Sequence, residues 1–169
     1  PKCGGKVLTG SAIEVGNIFR LGTRFSDAYG LTYQDEQGAA QKVIMGSYGI
    51  GPGRVLATIV ENSSDERGII WPKSVAPFAV HLISLGKEKK TLMAAKKLYA
   101  DLSKAGVEVV WDDRAAGAGE KFADADLLGA PRRVVISDKT LAEKKVEIKE
   151  RSKDKVKLVS IKEILNIVI

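Results

Sequence analysis

Residues 46–54, which read GSYGIGPGR, lead the chain from a strand into a helix through a turn rich in glycine. Gly49 and Gly51 leave the backbone bare, so a flat or anionic group can approach it closely. Arg54 falls at the predicted start of the helix, where its guanidinium offers donors suited to phosphate oxygens and the helix dipole is favourable. The pattern is neither a P-loop, because no Gly-Lys-Ser/Thr follows, nor a Rossmann fingerprint, because the glycine spacing differs. By itself this glycine-rich pattern is weak evidence for a binding site, because most such segments are only tight turns or bulges.

The segments around this turn predict an antiparallel sheet with a helix packed on it. One strand is expected over residues 12–20, and two more over residues 31–36 and 41–48. The last two flank Gly38, whose tolerance of a positive φ favours a hairpin. Apolar residues at helical spacing after the turn predict a helix that ends near Asn62.

From residue 78 onward, strand-like and helix-like segments alternate. The predicted strands are Phe78–Leu85, Val107–Trp111, Arg133–Ser137, Val146–Glu150 and Val156–Val159, and the predicted helices run from about Lys87 to a cap at Gly106, over Glu120–Leu128, and from a Ser160 cap to Val168. This order implies crossover helices and a mainly parallel sheet, with the hairpin-like last two strands as an antiparallel edge.

The two halves divide near residues 71–74. We therefore expect an α+β domain over residues 1–74 and a mixed, mainly parallel α/β domain over residues 75–169.

Composition narrows the class of protein. The 169 residues carry a net charge of +6, which favours a polyanionic partner and a merely solvated basic surface about equally. A single cysteine excludes an internal disulfide, the apolar stretches are too short to span a bilayer, and no secretory leader is visible, so we expect a cytoplasmic location and no membrane. Because the chain begins with Pro1 and not with methionine, we expect a fragment of a longer protein.

Five ordered motifs resemble bacterial-type prolyl-tRNA synthetases. Gly49-Ile50-Gly51 followed by Arg54 is similar to motif 3 of the class II aminoacyl-tRNA synthetases. The other motifs are residues 13–23, 68–72, 75–78, and the pair formed by Trp111–Arg114 and residues 119–131. The resemblance extends from about Cys3 to about Ser137. It implies the last part of a class II antiparallel core followed by an anticodon-binding domain.

The resemblance also implies roles for residues of the first half. Arg54 would bind ATP phosphate as the catalytic residue, and Gly49 and Gly51 would line the floor under the adenine and the prolyl group. Asn17 and Ser47, with Gly49, would contact proline. Relatives commonly have histidine at the position of Asn17 and often cysteine at that of Ser47, and both departures bear on contact with the amino acid.

The activity implied is a two-step ligation. ATP and proline form prolyl-adenylate with Mg²⁺ assisting, and the prolyl group passes to a tRNA with a proline anticodon. The whole enzyme is expected to be a homodimer with motifs 1 and 2 upstream, so we expect the fragment alone to be inactive and to bind no cofactor tightly.

In the second half, the resemblance implies that anticodon bases meet the end of a strand and the loop and helix after it. The residues expected to contact RNA are Asp113, Arg114, Lys121, Phe122 and Asp124. The alternative is an internal Asp–Arg pair that fixes the loop, and it is the preferred interpretation for Asp112 and Asp126.

Several other interpretations of the sequence bear on function. His81, in an apolar strand, is expected to be a core or interface residue, and no metal site is expected at Cys3. The lysine-rich residues 139–157 are most simply a solvated strand pair, and a nonspecific contact with the tRNA backbone is the weaker alternative. A rival function is a non-catalytic RNA-binding or regulatory module on the synthetase fold. Histidyl, threonyl or glycyl relatives are a third option, against which the prolyl-like residues 14–19 argue.

Overall fold

The computed structural model describes residues 2–86 and 88–168, which belong to two compact units, Pro1–Ile59 and Val60–Ile169. The units divide within a helix, 15 residues before the division predicted from the sequence, and the domains 1–74 and 75–169 stay a prediction. Within the described part of the chain, no helix is long and apolar enough to cross a membrane.

The first unit is built from short strands in antiparallel pairs. Its elements are β1 (Gly16–Gly22), α1 (Arg24–Tyr29), β2 (Thr32–Gln34), β3 (Ala40–Lys42), β4 (Met45–Ile50) and the start of α2 (Pro52–Asn62). β1 pairs with β4, and β2 pairs with β3. The sequence predicted one sheet with a single strand over residues 41–48. The described strands instead form separate two-stranded sheets, because the extended strand is interrupted after Lys42 and resumes at Met45. In the interruption, the Val43 carbonyl oxygen accepts from the Ser26 hydroxyl.

The β2–β3 hairpin follows from its turn residues. The Asp35 carboxylate accepts hydrogen bonds from the backbone N–H groups of Gln37 and Ala39, at 3.0 and 2.9 Å. Gly38 has a φ of 78°, the left-handed conformation that glycine adopts without strain. The predicted hairpin and the role of Gly38 are thus confirmed.

The second unit contains one five-stranded sheet. Its elements are β5 (Ser64–Asp65), β6 (Gly68–Ile69), β7 (Val80–Leu85), α3 (Lys89–Lys104), β8 (Val109–Asp112), α4 (Ala118–Leu128), β9 (Arg132–Ser137), α5 (Asp138–Ala142), β10 (Lys145–Glu150), β11 (Val156–Ser160) and α6 (Ile164–Val168). The strand order is β11-β10-β9-β7-β8, with β7 parallel to both neighbours and the pairs β9–β10 and β10–β11 antiparallel. The predicted mixed sheet is confirmed, whereas the expected helix start at Lys87 lies outside the described residues.

Alternating side chains of the sheet build a core on each face. Val80, Leu82 and Val134 point to the face covered by α3 and α6, where they pack with the leucines of α3. Ile83 and Val135 point to the opposite face, under α4. Burying each such side chain contributes about 1.5–3 kcal/mol, so these two layers stabilise the unit and hold α4 against the strands.

The β5–β6 hairpin packs closely on the end of α4. A Cβ at Gly129 would overlap the carbonyl of Ile69, so only glycine allows this approach. Arg151, which is buried, donates to both carboxylate oxygens of Asp65 at 2.6 and 2.9 Å and to the Asp126 carbonyl oxygen at 2.9 Å. These contacts fix the hairpin to α4.

Candidate functional site

In the first unit, the register of β1 and β4 brings the predicted proline contacts together. Asn17 lies opposite Gly49, and Phe19 lies opposite Ser47. Since directly opposed residues project to the same side of a sheet, Asn17, Ser47 and Gly49 share one face. A Cβ at Gly49 would lie 3.3 Å from the Asn17 amide oxygen, so glycine keeps this face open.

Arg54 lies in the first turn of α2 and is exposed. Its Nη1 donates to the Glu14 carbonyl oxygen at 2.6 Å, and the Gly51 N–H donates to the Val15 carbonyl oxygen at 3.1 Å. The guanidinium is therefore tied to the segment before β1, within the same unit as the glycine turn.

An open groove of about 950 Å³ runs beside these strands. Its lining residues are Val15, Gly16, Asn17, Ile18, Tyr48, Gly49, Ile50 and Val55. Its size is at the upper end of the range for small-molecule sites. The groove thus takes in Asn17 and Gly49, while Ser47, Gly51 and Arg54 are not among the described residues that line it.

In the second unit, Arg114 is held by carboxylates. Its Nε and Nη2 donate to the two carboxylate oxygens of Asp112 at 3.0 and 2.8 Å, and Nη2 also donates to Asp124 at 2.5 Å. The hydrogen bonds from Arg114 lower the pKa of Asp112 to about 2. The internal pair expected for Asp112 is confirmed, and it orients the loop after β8.

Lys121 is buried, whereas the sequence predicted that it contacts RNA directly. The residue is 2% exposed. Its Nζ donates to the backbone carbonyl oxygens of Ser84 and Asp112 at 3.0 and 3.2 Å and lies 3.8 Å from Asp112 Oδ1. The first turn of α4 directs this side chain toward the ends of β7 and β8, where the buried ammonium finds hydrogen-bond acceptors in two backbone carbonyl groups.

Phe122 is half-buried and forms a cluster with Arg133 and Asp126, the Phe122 cluster, which the sequence did not predict. The Arg133 guanidinium carbon lies 4.4 Å from the centroid of the Phe122 ring, within the range of a cation–π contact. Arg133 Nη1 donates to Asp126 at 3.3 Å, while its buried Nε has no hydrogen-bond partner in the described structure. Asp126 is thus paired, as expected. The missed signal was the arginine among the apolar residues of β9.

Asp113 is exposed at the end of β8, and with Arg114 and Asp124 it lines a cavity of about 320 Å³. Lys121 and Phe122 are absent from the lining of this cavity as far as the structure describes it. Three of the five predicted RNA contacts therefore line this cavity, whereas Lys121 shares a second cavity, of about 770 Å³, with Asp113 and Arg114, and Phe122 belongs to the Phe122 cluster.

Curated relatives agree with the resemblance seen in the motifs. The chain is 45% identical to the proline–tRNA ligase of Desulforamulus reducens over 164 residues, covering 96% of this chain and 29% of the relative. It is 47% identical to the proline–tRNA ligase of Bacillus subtilis over 161 residues, covering 95% of this chain and 28% of the relative. The chain thus spans less than a third of the length of these relatives.

Residues 79–169 match the family described as anticodon binding domain. The matched region begins just before β7 and contains the whole five-stranded sheet, α4, the Arg114 loop and the Phe122 cluster. The chain belongs to the anticodon-binding-domain family, and it is similar along nearly its whole length to proline–tRNA ligases.

Proposed function

We propose that this chain is part of a proline–tRNA ligase and that residues 75–169 bind the anticodon of a tRNA with a proline anticodon. The observation that carries the proposal is the Phe122 cluster in a chain of this family. An arginine over an aromatic ring offers a stacking surface for an unpaired base, and its N–H groups suit the O6 and N7 acceptors of guanine. The Asp126 carboxylate beside it can accept from the guanine amino group.

The exposed carboxylate of Asp113 and the Arg114–Asp124 pair would form a second part of the RNA-binding surface. Arg114 is oriented before RNA arrives, which lowers the entropic cost of binding. Lys121 would contribute indirectly. Its buried ammonium hydrogen bonds to the ends of β7 and β8 and so fixes the position of this loop.

For the longer protein, we propose the activity of its relatives: ATP and proline form prolyl-adenylate, and the prolyl group passes to tRNA. Residues 1–74 would contribute part of a class II core. Arg54 would bind ATP phosphate, Gly49 and Gly51 would form the floor of the site, and Asn17 and Ser47 would contact proline. The face shared by Asn17, Ser47 and Gly49 supports this assignment.

Mg²⁺ would accompany ATP and screen its phosphate charge. Among the described residues no group of three or more His, Cys, Asp or Glu side chains is arranged to hold a metal ion, so we assign it no ligand in this chain. The longer protein would be a cytoplasmic homodimer. The chain alone would give no proline-dependent ATP–pyrophosphate exchange, and turnover in that assay would contradict the assignment.

Anticodon binding is tested with tRNA carrying a proline anticodon and with tRNA whose two anticodon guanines are altered. Arg133→Gln should weaken binding of the first tRNA about tenfold, the loss of one good base contact, and should abolish the preference between the two. Lys96→Gln, on exposed α3 surface, removes the same charge and should weaken both slightly and equally. Equal losses for the two RNAs with Arg133→Gln would remove the proposal of base recognition.

A further inference from the structure

Four cationic side chains surround a cavity of about 380 Å³ in the second unit. They come from the first residue of β9, from the turn between β10 and β11, and from β11 itself: Arg132, Lys153, Lys155 and Lys157. Against these four stands one carboxylate among the described lining residues, that of Glu150 at the end of β10. The lining therefore has a surplus of positive charge.

The register of the sheet separates this cavity from the candidate RNA-binding residues. Arg132 lies opposite Val80, where the parallel strands β7 and β9 begin, whereas the Arg114 loop follows the opposite, carboxyl end of β8. The cavity is on the face covered by α6, since Ile148 of the core and Ile167 of α6 complete its lining. It is thus a site that the proposed anticodon contacts do not use.

The carboxylate of the lining is already paired. Lys153 Nζ lies 2.7 Å from a carboxylate oxygen of Glu150, and the hydrogen bond from Lys153 lowers the pKa of Glu150. Lys155 and Lys157 make no ion pair with any residue that the structure describes. Their charges are therefore left for a ligand to neutralise.

The turn that carries two of the lysines is held in place. Its first residue, Arg151, is buried, and its guanidinium is anchored to Asp65 of the β5–β6 hairpin. The Arg151 N–H donates to the Pro131 carbonyl oxygen at 2.9 Å, and the Lys153 N–H donates to the Glu150 carbonyl oxygen at 3.1 Å. Charges on a fixed turn lose less conformational entropy when a ligand binds than charges on a mobile loop.

The acidic residue of the same turn is kept out of the cavity. Asp154 lies between two of the lysines in sequence but is not among the described lining residues. Its carboxylate lies 3.5 Å from Arg67 Nη2 and 3.8 Å from Lys149 Nζ. Lys149 follows Ile148 in β10 and so projects to the opposite face of the sheet. The chain thus gathers cations on one face and places this carboxylate toward the other.

The walls and the size of the cavity favour a compact anion. Ile148 and Ile167 provide apolar surface beside the charges. A cleft with one sign of charge and walls of low dielectric constant raises the local concentration of counter-ions. About 380 Å³ is at the lower end of the range for small-molecule sites, whereas a nucleic-acid backbone requires a groove that follows it.

We propose that this cavity binds a small anion with several negative charges, of the class of inorganic phosphate and pyrophosphate. Lys155 and Lys157 neutralise its charge, and Arg132 donates to its oxygens. Arg132 Nη1 already donates to the Val168 carbonyl oxygen at 2.8 Å, which orients the guanidinium and leaves its other N–H groups for the anion. This site is independent of the function proposed above.

Pyrophosphate is the probe. The backbone amide signals of residues 150–157 are followed by NMR at constant ionic strength while pyrophosphate, inorganic phosphate, sodium chloride or a uridine hexanucleotide is added. We expect saturable shifts with pyrophosphate, half-complete below about 1 mM, and weaker binding of inorganic phosphate because it carries less charge. Sodium chloride should give no saturable shift.

Two pairs of substitutions complete the test. Lys155→Gln with Lys157→Gln removes two exposed charges of the cavity and should weaken pyrophosphate binding at least about tenfold. The matched control, Lys89→Gln with Lys96→Gln, removes two exposed charges of α3 and should change the affinity less than about twofold. Circular dichroism checks that both variants stay folded.

Three outcomes would overturn the proposal. The first is the absence of saturable shifts at residues 150–157 with pyrophosphate. The second is an equal loss of affinity in the two double variants, because net charge alone would then attract the anion. The third is a hexanucleotide that shifts these signals at lower concentration than pyrophosphate does, which would make the cavity a contact for an RNA backbone.

Discussion

Replacing Gly129 by alanine is expected to destabilise the second unit far more than the same replacement at Gly106. Both glycines follow helices in the left-handed conformation, with φ of 74° and 78°. Alanine in that conformation costs about 1–2 kcal/mol at either position. At Gly129 the new Cβ also overlaps the Ile69 carbonyl, whereas in the described structure no atom beyond its chain neighbours lies within 4 Å of a Cβ at Gly106.

The overlap at Gly129 must be relieved by moving the β5–β6 hairpin, and overpacking of this kind costs about 1–3 kcal/mol. The expected loss is therefore about 2–5 kcal/mol for Gly129→Ala and about 1–2 kcal/mol for Gly106→Ala. Urea unfolding of the two variants and the parent protein, followed by circular dichroism, measures both values. Equal losses would refute the argument, because the close approach of the hairpin to α4 would then contribute nothing.

Three further predictions concern the same unit. Lys121→Met should lower the free energy of unfolding by about 2–4 kcal/mol, because it removes both hydrogen bonds of the buried ammonium and the positive charge beside the buried Asp112 carboxylate; a loss below about 1 kcal/mol in urea unfolding would contradict this. The pKa of Asp112 is lowered to about 2, so its contribution is present above roughly pH 4 and is lost as the pH falls toward its folded value. Asp112→Asn should flatten the acid side of the stability–pH curve, and an unchanged slope would count against the Arg114 pair. Ser137→Ala removes the capping box with Thr140 and should cost about 1 kcal/mol in thermal unfolding, where no change would contradict it.

Local sequence signals predicted the second unit well. The buried strand β7, the helix α3 and the left-handed Gly106 follow from apolar periodicity and from glycine placement, which act over a few residues. The β5–β6 hairpin was missed, because its partners Gly129 and Arg151 lie far along the chain and leave no local pattern.

At the functional site, too, local sequence signals predicted some features, and features that depend on long-range packing were missed. The end of β8 was predicted to carry functional residues because ligands bind at the carboxyl ends of parallel strands, and Asp113 and Arg114 lie at that end. The burial of Lys121 and the contact of Arg133 with Phe122 depend on how α4 is rotated against the sheet. A lysine in the first turn of a helix is expected to be exposed until that rotation is known.

The edge strand β11 has a consequence for behaviour in concentrated solution. Lys157 lies opposite Ile148, on the face where Val146 and Ile148 are buried, so the outermost strand places an ammonium beside the apolar layer. A second copy that added a strand here would have to dehydrate that charge. Lys157 thus disfavours polymerisation through edge-to-edge pairing of β11. Replacing Lys157 by alanine would remove this protection.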